Sequence, residues 1–327
     1  MQILRLHLLA ACVLGCSMQP GTAELPPDSD WQANTILEDV QTVSDDRIGA
    51  GQGMSRRGEW LYVYGDVYIA TPRVGIIRQY TLEVKPTGRE IVLARGGQTV
   101  VQHPTGLTWD ERFGCFLGDT VDGVANIYQI DWPRALREGN LDNAVLAHIR
   151  DDAAVNGCRP EFVTLKGRRL VATADYGDTT PEIRLYDPEE MLAAGRTSAP
   201  GVIVARLPCG PFNQNLHWDE TRGRLTCIQN VVVGRGWRLD AIDLLTAVAR
   251  GKVDGEVRFE QLVFNRHDEL EGYCPLDEGR ALFVTSGLPD NLITGRPLQV
   301  EPYPSPVGSS DLAPKEAVQD PPIPVGR

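Results

Sequence analysis

Apolar and polar residues alternate along most of this 327-residue chain in short, strand-length runs broken by Gly, Pro or Asp. Three of these runs recur with the same internal spacing: IYQIDWPRALREG, IRLYDPEEMLAAG and LDAIDLLTAVARG. Asp131, Asp187 and Asp243 stand 56 residues apart, and each is followed eight residues later by a glycine, Gly139, Gly195 or Gly251. An alternation that ends at an aspartate reads as a strand running into a helix N-cap. An apolar pair just before a glycine reads as a short helix reaching its C-cap. The pattern predicts a unit of strand, one or two helical turns, and strand.

The other runs fall into five repeats. Repeat one holds GAGQGMSRR, EWLYVYGD, GIIRQYTLEV and REIVLARG; repeat two holds HPTGLTWD, GCFLGD, NIYQIDW and AVLAHI. Repeat three holds RPEFVTL, RRLVATADYGD, EIRLYD and GVIVARL; repeat four holds NQNLHWD, GRLTCIQN, RLDAIDL and VRFEQLVF. Repeat five supplies LEGYCPLD, GRALFVTSG and a weak PLQVEPY, with no fourth run. Aligned on Met54, Leu107, Phe162, Leu216 and Tyr273, the repeats step by 53, 55, 54 and 57 residues. Residues 35–42, TILEDVQT, read as a lone strand without a local hairpin partner. They are expected to provide the missing fourth strand, which would join the two ends of the chain and remove its exposed edges.

Over residues 35–301 this pattern resembles the five-bladed β-propellers. The resemblance implies an all-β fold of four-stranded blades, closed by an N-terminal strand that completes the last blade, with short helices in blades two to four. Many propellers of this kind are glycoside hydrolases with carboxylates at the mouth of the central channel, so it also implies a carbohydrate-active protein. Those enzymes commonly begin their set with an aspartate on the first inner strand. Here that stretch is GAGQG at 49–53, without a carboxylate, and the His-Asp-Pro signature is absent.

Strand order sorts the connections onto two faces. Turns between first and second strands are tight and repetitive (WDERFG, WDETRG, LDEG), so Asp110 and Asp219 are expected to cap turns and Trp109 and Trp218 to pack between blades. The opposite face gathers the irregular loops, with Asp66, Asp119, Asp122, Asp178, Asn230, Arg235 and Asp290. There the innermost strands begin, bringing Gln52, His103, Thr105, Arg159, Glu161, Asn213, Asn215, Glu269 and Glu271 to the channel mouth.

Glu161 and Glu271 are the predicted catalytic pair, two carboxylates facing each other across the channel, with Asp119 as a third candidate. His103, Arg159, Asn213, Asn215 and Gln52 are the predicted substrate-binding residues. His103 suits a proton carrier, and Arg159 could orient Glu161 or hold an anionic substrate group. Equally, these groups could pair with one another to close the channel. Glu161, Asn215 and Glu271 are oxygen donors of the calcium type, although no contiguous loop has calcium-binding spacing, so no metal site or other cofactor is assigned while calcium stays an open alternative.

A formal charge of −12 argues against a nucleic-acid partner. Residues 1–23 read as an export signal, with Arg5 followed by an apolar run at 8–15 too short to span a bilayer. It ends either at VLGC, 13–16, which would make Cys16 a lipid-bearing N-terminus, or after Ala23. Residues 24–34 read as a leader, and the seven prolines within 302–327 mark a disordered tail. Export permits a disulfide, for which Cys158 and Cys209 are the pair to test, against the alternative of buried free thiols. The expectation is thus a monomeric protein, secreted, periplasmic or anchored as a lipoprotein, in one of two classes. It is a hydrolase of the glycosidase type, or a non-catalytic propeller that binds a glycan, a small molecule or an envelope partner.

Overall fold

Sixteen strands divide evenly among the first four repeats, and a fifth set of four is completed from the other end of the chain. The computed structural model describes residues 34–67, 73–177, 179–230, 237–253, 257–262 and 268–300. The first strand, β1 (Asn34–Val43), stands apart. Blade one follows as β2 (Ala50–Arg57), β3 (Trp60–Val67), β4 (Val74–Tyr80) and β5 (Pro86–Val92), then a small hairpin, β6 (Ala94–Arg95) and β7 (Gln98–Thr99). Blade two is β8 (Pro104–Asp110), β9 (Gly114–Val121), β10 (Val124–Ile130), helix α1 (Trp132–Glu138) and β11 (Val145–Arg150). Blade three is β12 (Glu161–Leu165), β13 (Arg168–Ala174), β14 (Glu182–Tyr186), α2 (Pro188–Ala194) and β15 (Ile203–Pro208). Blade four is β16 (Asn213–Asp219), β17 (Arg224–Asn230), β18 (Trp237–Asp243), α3 (Leu244–Arg250) and β19 (Val257–Leu262). Blade five is β20 (Leu270–Pro275), β21 (Ala281–Thr285) and β22 (Leu292–Val300), with β1 as its outer strand. The chain is a five-bladed β-propeller.

Closure is double. β1 runs antiparallel to β22 from Asn34 opposite Val300 to Val43 opposite Leu292, and its first residues also pair parallel with β19, Asn34 with Gln261 and Thr35 with Leu262. Blades four and five thereby share one eight-stranded sheet. β22 begins at Leu292, ahead of the PLQVEPY run expected to be the third strand of repeat five. Gly295 and Pro297 interrupt its apolar alternation, and pairing on both sides, with β21 and β1, makes it a strand regardless.

The recurring aspartates and glycines do what their spacing predicts. Asp131 accepts from the Arg134 N–H, Asp187 from those of Glu189 and Glu190, and Asp243 from that of Thr246; Gly139, Gly195 and Gly251 close the helices in the left-handed conformation. All three helices lie between third and fourth strands, on the face away from the channel mouth. Asp110 caps its turn through the N–H groups of Arg112 and Phe113, and Asp219 does so through that of Arg222.

An apolar cluster fills each junction between blades. Between blades one and two, Trp109 and Trp132 meet Tyr62 with ring centroids 5.3 and 4.8 Å away. Between blades three and four lie Val163, Leu185, Leu216, Leu225 and Ile242. Burying each such aliphatic side chain stabilises by about 1.5–3 kcal/mol, and this inter-blade packing fixes where the inner strands begin. Cys115, Cys158, Cys209, Cys227 and Cys274 are all free thiols, so the proposed Cys158–Cys209 bridge is not formed. Cys158 instead reaches the Asn126 carbonyl at 3.1 Å, and Cys209 accepts from Asn213.

Candidate functional site

The innermost strands β2, β8, β12, β16 and β20 surround the channel axis. In four of them the ladder to the second strand skips one residue: Gln52, Thr105, Gln214 and Glu271. A bulged residue leaves the ladder and its side chain is re-aimed, a device common beside functional sites. All four stand two residues before the apolar position on which the repeats align.

One residue further along, Gly53 has φ of 148°, and a Cβ built on it would lie 2.2 Å from Asn215 Nδ2 and 2.5 Å from the Tyr64 hydroxyl. The space that glycine leaves open lets Tyr64, a second-strand residue, reach the axis. Asn215 Nδ2 donates to its hydroxyl at 2.6 Å, a bond that bars the channel just below the mouth. Burial holds Tyr64 protonated well above the usual phenol range, the Asn215 bond pulling the other way.

Above this bar lies a polar cluster. Glu271 is buried, its Oε1 accepts from Gln214 Nε2 at 3.2 Å, and its Oε2 receives no hydrogen bond. Burial, then the neighbouring Glu269 carboxyl, push its pKa well above the ordinary range against the pull of Arg159, with Asp66 adding a smaller push. Glu269 is exposed at the rim and accepts from the Tyr176 hydroxyl at 3.0 Å. Arg159, only 4% exposed, makes two long bonds, Nη1 to the Ala174 carbonyl at 3.4 Å and Nη2 to Gln214 Oε1 at 3.5 Å. Its Nε has no partner, and its guanidinium lies 5.5 Å from the centre of the Tyr176 ring. Burial lowers its pKa. Tyr176 in turn meets Phe212 edge-on at 5.6 Å, giving the rim an aromatic wall.

Blades one and two contribute a second group. Asp66, fully buried at the end of β3, holds His103 Nδ1 at 2.7 Å through Oδ2 and pairs with Arg73 through the same oxygen, while its Oδ1 receives no donor. The His103 N–H donates to Asp119 at 2.9 Å, and burial pushes the Asp119 carboxyl up to about 6 against that bond. Thr105 donates to the Cys158 carbonyl.

The predicted pair Glu161 and Glu271 does not meet on one level. Glu161 accepts from the Trp218 N–H at 3.0 Å, and its carboxyl, raised to about 7 by burial against bonds from Trp218 and Thr108, sits among residues past the aligned apolar positions. Glu271 instead accepts from Gln214, so the two carboxyls share no hydrogen-bond partner. Among the described residues no group of three or more His, Cys, Asp or Glu could hold a metal ion. Asn213 is also turned away from the mouth: it bonds the Gly210 and Asp175 carbonyls and accepts from Gln229 Nε2, all within hydrogen-bond distance of a fully buried side chain. Asn230 accepts from the Leu270 N–H, Asp290 pairs with Ser44, and Asp122 sits exposed in a turn. Asp178 and Arg235 lie outside the described residues.

The structure therefore unites Glu271, Arg159, Glu269, His103, Asp66 and Asp119 at the mouth, with Gln52 bulged beside them. Sequence reasoning missed Gln214, Tyr64 and Tyr176. Gln214 carried a readable signal, since it occupies the same offset as Gln52 and Glu271. Tyr64 carried none, because it alternates like any core residue of a second strand.

No family model matches this chain, and no curated protein matches it. Among solved structures, Kuenenia stuttgartiensis hydrazine synthase is similar at 13% identity with a TM-score of 0.41, over 74% of this chain and 57% of that one. The chain thus spans little more than half the length of that protein, and a likeness this loose carries no argument about chemistry.

Proposed function

We propose that this protein is an exported propeller that binds a carbohydrate-type ligand at the mouth of its central channel. The observation that carries the reading is a set of buried polar atoms without partners around that mouth: Arg159 Nε, Asp66 Oδ1 and Glu271 Oε2. Burying such groups unpaired costs about 1–3 kcal/mol each, more when charged, unless a ligand completes them. Asp66 Oδ1 needs a donor, Arg159 Nε needs an acceptor, and Glu271 Oε2 takes either according to its protonation. Sugar hydroxyls serve as either, and the Tyr176–Phe212 wall suits the apolar face of a pyranose ring. The export pattern of residues 1–23 fits a ligand met outside the cytoplasm.

A second reading, hydrolysis, is favoured by one observation: two carboxyls lie on the inner strands, Glu271 beside Glu269 and Glu161 beside Trp218, and burial raises the pKa of both, that of Glu161 to about 7. Titration of the mature protein with a panel of oligosaccharides, scored in parallel by thermal shift and by release of reducing ends, tests both. A shift without release selects the binding protein, and release that is lost in Glu271→Gln selects the hydrolase. If every oligosaccharide leaves the melting curve and the reducing ends unchanged, the carbohydrate assignment is wrong.

A further inference from the structure

We infer that Arg159 is a receptor for a carboxylate carried by the ligand, so that the sugar taken at the mouth is an acidic one of the uronate class. The inference rests on the mouth being the ligand site. Among the described residues three arginines are buried, Arg159, Arg184 and Arg238, and the latter two are satisfied by aspartates. Arg184 makes two bonds to Asp175, at 2.6 and 3.0 Å, and a third to the Tyr186 hydroxyl at 2.8 Å. Arg238 bonds both oxygens of Asp240. Arg159 alone of the three has no carboxylate within ion-pair distance among the described residues, in a chain with 44 acidic against 32 basic side chains.

The acids around the mouth have other hydrogen-bond partners. Asp175 belongs to Arg184, and Asp66 is paired with Arg73 and His103. Glu271 leans on Gln214, and Glu269 stands at the exposed rim under the Tyr176 hydroxyl. What remains for Arg159 is an edge with a free Nε, flanked by the Gln214 amide, with its guanidinium over the Tyr176 ring. A planar guanidinium edge matches a planar carboxylate through two parallel N–H···O bonds, and such a pair is strong where water is excluded. The remaining orphans, Asp66 Oδ1 and Glu271 Oε2, would then face ring hydroxyls of the same sugar.

Calorimetric titration of the whole mature protein with tri-D-galacturonate and with β-linked D-glucuronate oligomers, each compared with its methyl ester and with neutral cellotriose, tests this. In the natural protein one acid should bind at least about tenfold more tightly than its own ester, as expected for loss of a bidentate ion pair. That ratio should fall to about one in Arg159→Gln and persist in Arg250→Gln, a change on the opposite face. Because the acid-to-ester ratio is read on the unmodified chain, it stands even if Arg159→Gln folds poorly. Equal binding of acid and ester overturns the inference while leaving carbohydrate binding intact. Failure of acids, esters and neutral sugars alike overturns both.

Discussion

Tyr64 and Asn215 belong to blades one and four, yet the Asn215 amide donates a 2.6 Å hydrogen bond to the Tyr64 hydroxyl across the channel. Blades that share no strand pairing are thus tied at the axis, and the tie depends on the absence of a side chain at Gly53. Gly53→Ala is expected to destabilise by more than about 2 kcal/mol, since the new methyl group must displace both partners and adopt a positive φ. Tyr64→Phe should cost about 1 kcal/mol, the loss of one hydrogen bond, because Asn215 Nδ2 keeps the Glu271 carbonyl at 3.3 Å. Urea denaturation ranks the two variants, and equal losses would contradict the steric account.

Stability should be greatest on the mildly acidic side of neutral. Glu161 is raised to about 7, Asp119 and Asp240 to about 6, and Glu271 well above its ordinary range, all chiefly by burial. A group whose pKa is higher folded than unfolded favours the native state below its unfolded value, and that advantage disappears as pH rises through the folded value. Stability is therefore expected to fall between about pH 5 and pH 8 by about 2 kcal/mol for a group such as Glu161. Glu161→Gln should flatten the slope. A melting temperature that climbs steadily from pH 5 to pH 8 would rule this out.

The opposite sign applies to Asp175, whose pKa is lowered by Arg184 and by backbone N–H groups in spite of its burial. Its stabilisation is present above the unfolded value of 3.8 and is lost as pH falls through the folded one. Asp175→Ala leaves the Arg184 guanidinium buried without its carboxylate and should cost about 3–5 kcal/mol at neutral pH. Chemical denaturation at pH 7 measures it; a loss below 1 kcal/mol would mean that Tyr186 and Asp151 suffice for Arg184.

The helix caps provide a control on the opposite face. Asp131→Ala and Asp243→Ala should each cost about 1 kcal/mol and leave oligosaccharide affinity unchanged. Any loss of affinity in these variants, seen by calorimetry, would argue that the ligand touches the helical face.

The blade count, the capped helices and the closing strand were legible in the sequence because each depends on local period, cap chemistry or an unmatched run. The mouth was legible only in part. Arg159, Glu271 and His103 could be assigned to it from strand order, which says which end of an inner strand faces it. Which side chains enter is set by ladder slips such as those at Gln214 and Glu271, and a slip belongs to the pairing of two strands rather than to either sequence. The separation of Glu161 from Glu271 has the same origin. Glu161 occupies the offset that is glycine in blades one, two and five, so its carboxyl descends toward Thr108 and Trp218.

The double pairing of β1 sets a timetable. Residues 34–43 leave the ribosome long before β19 and β22, the strands on which they will lie. Four blades can assemble in the order of synthesis, but the ring stays an arc, with raw edges at both ends, until Val300 has been made. Every prematurely terminated copy is such an arc, and its unpaired strands are templates for another like it.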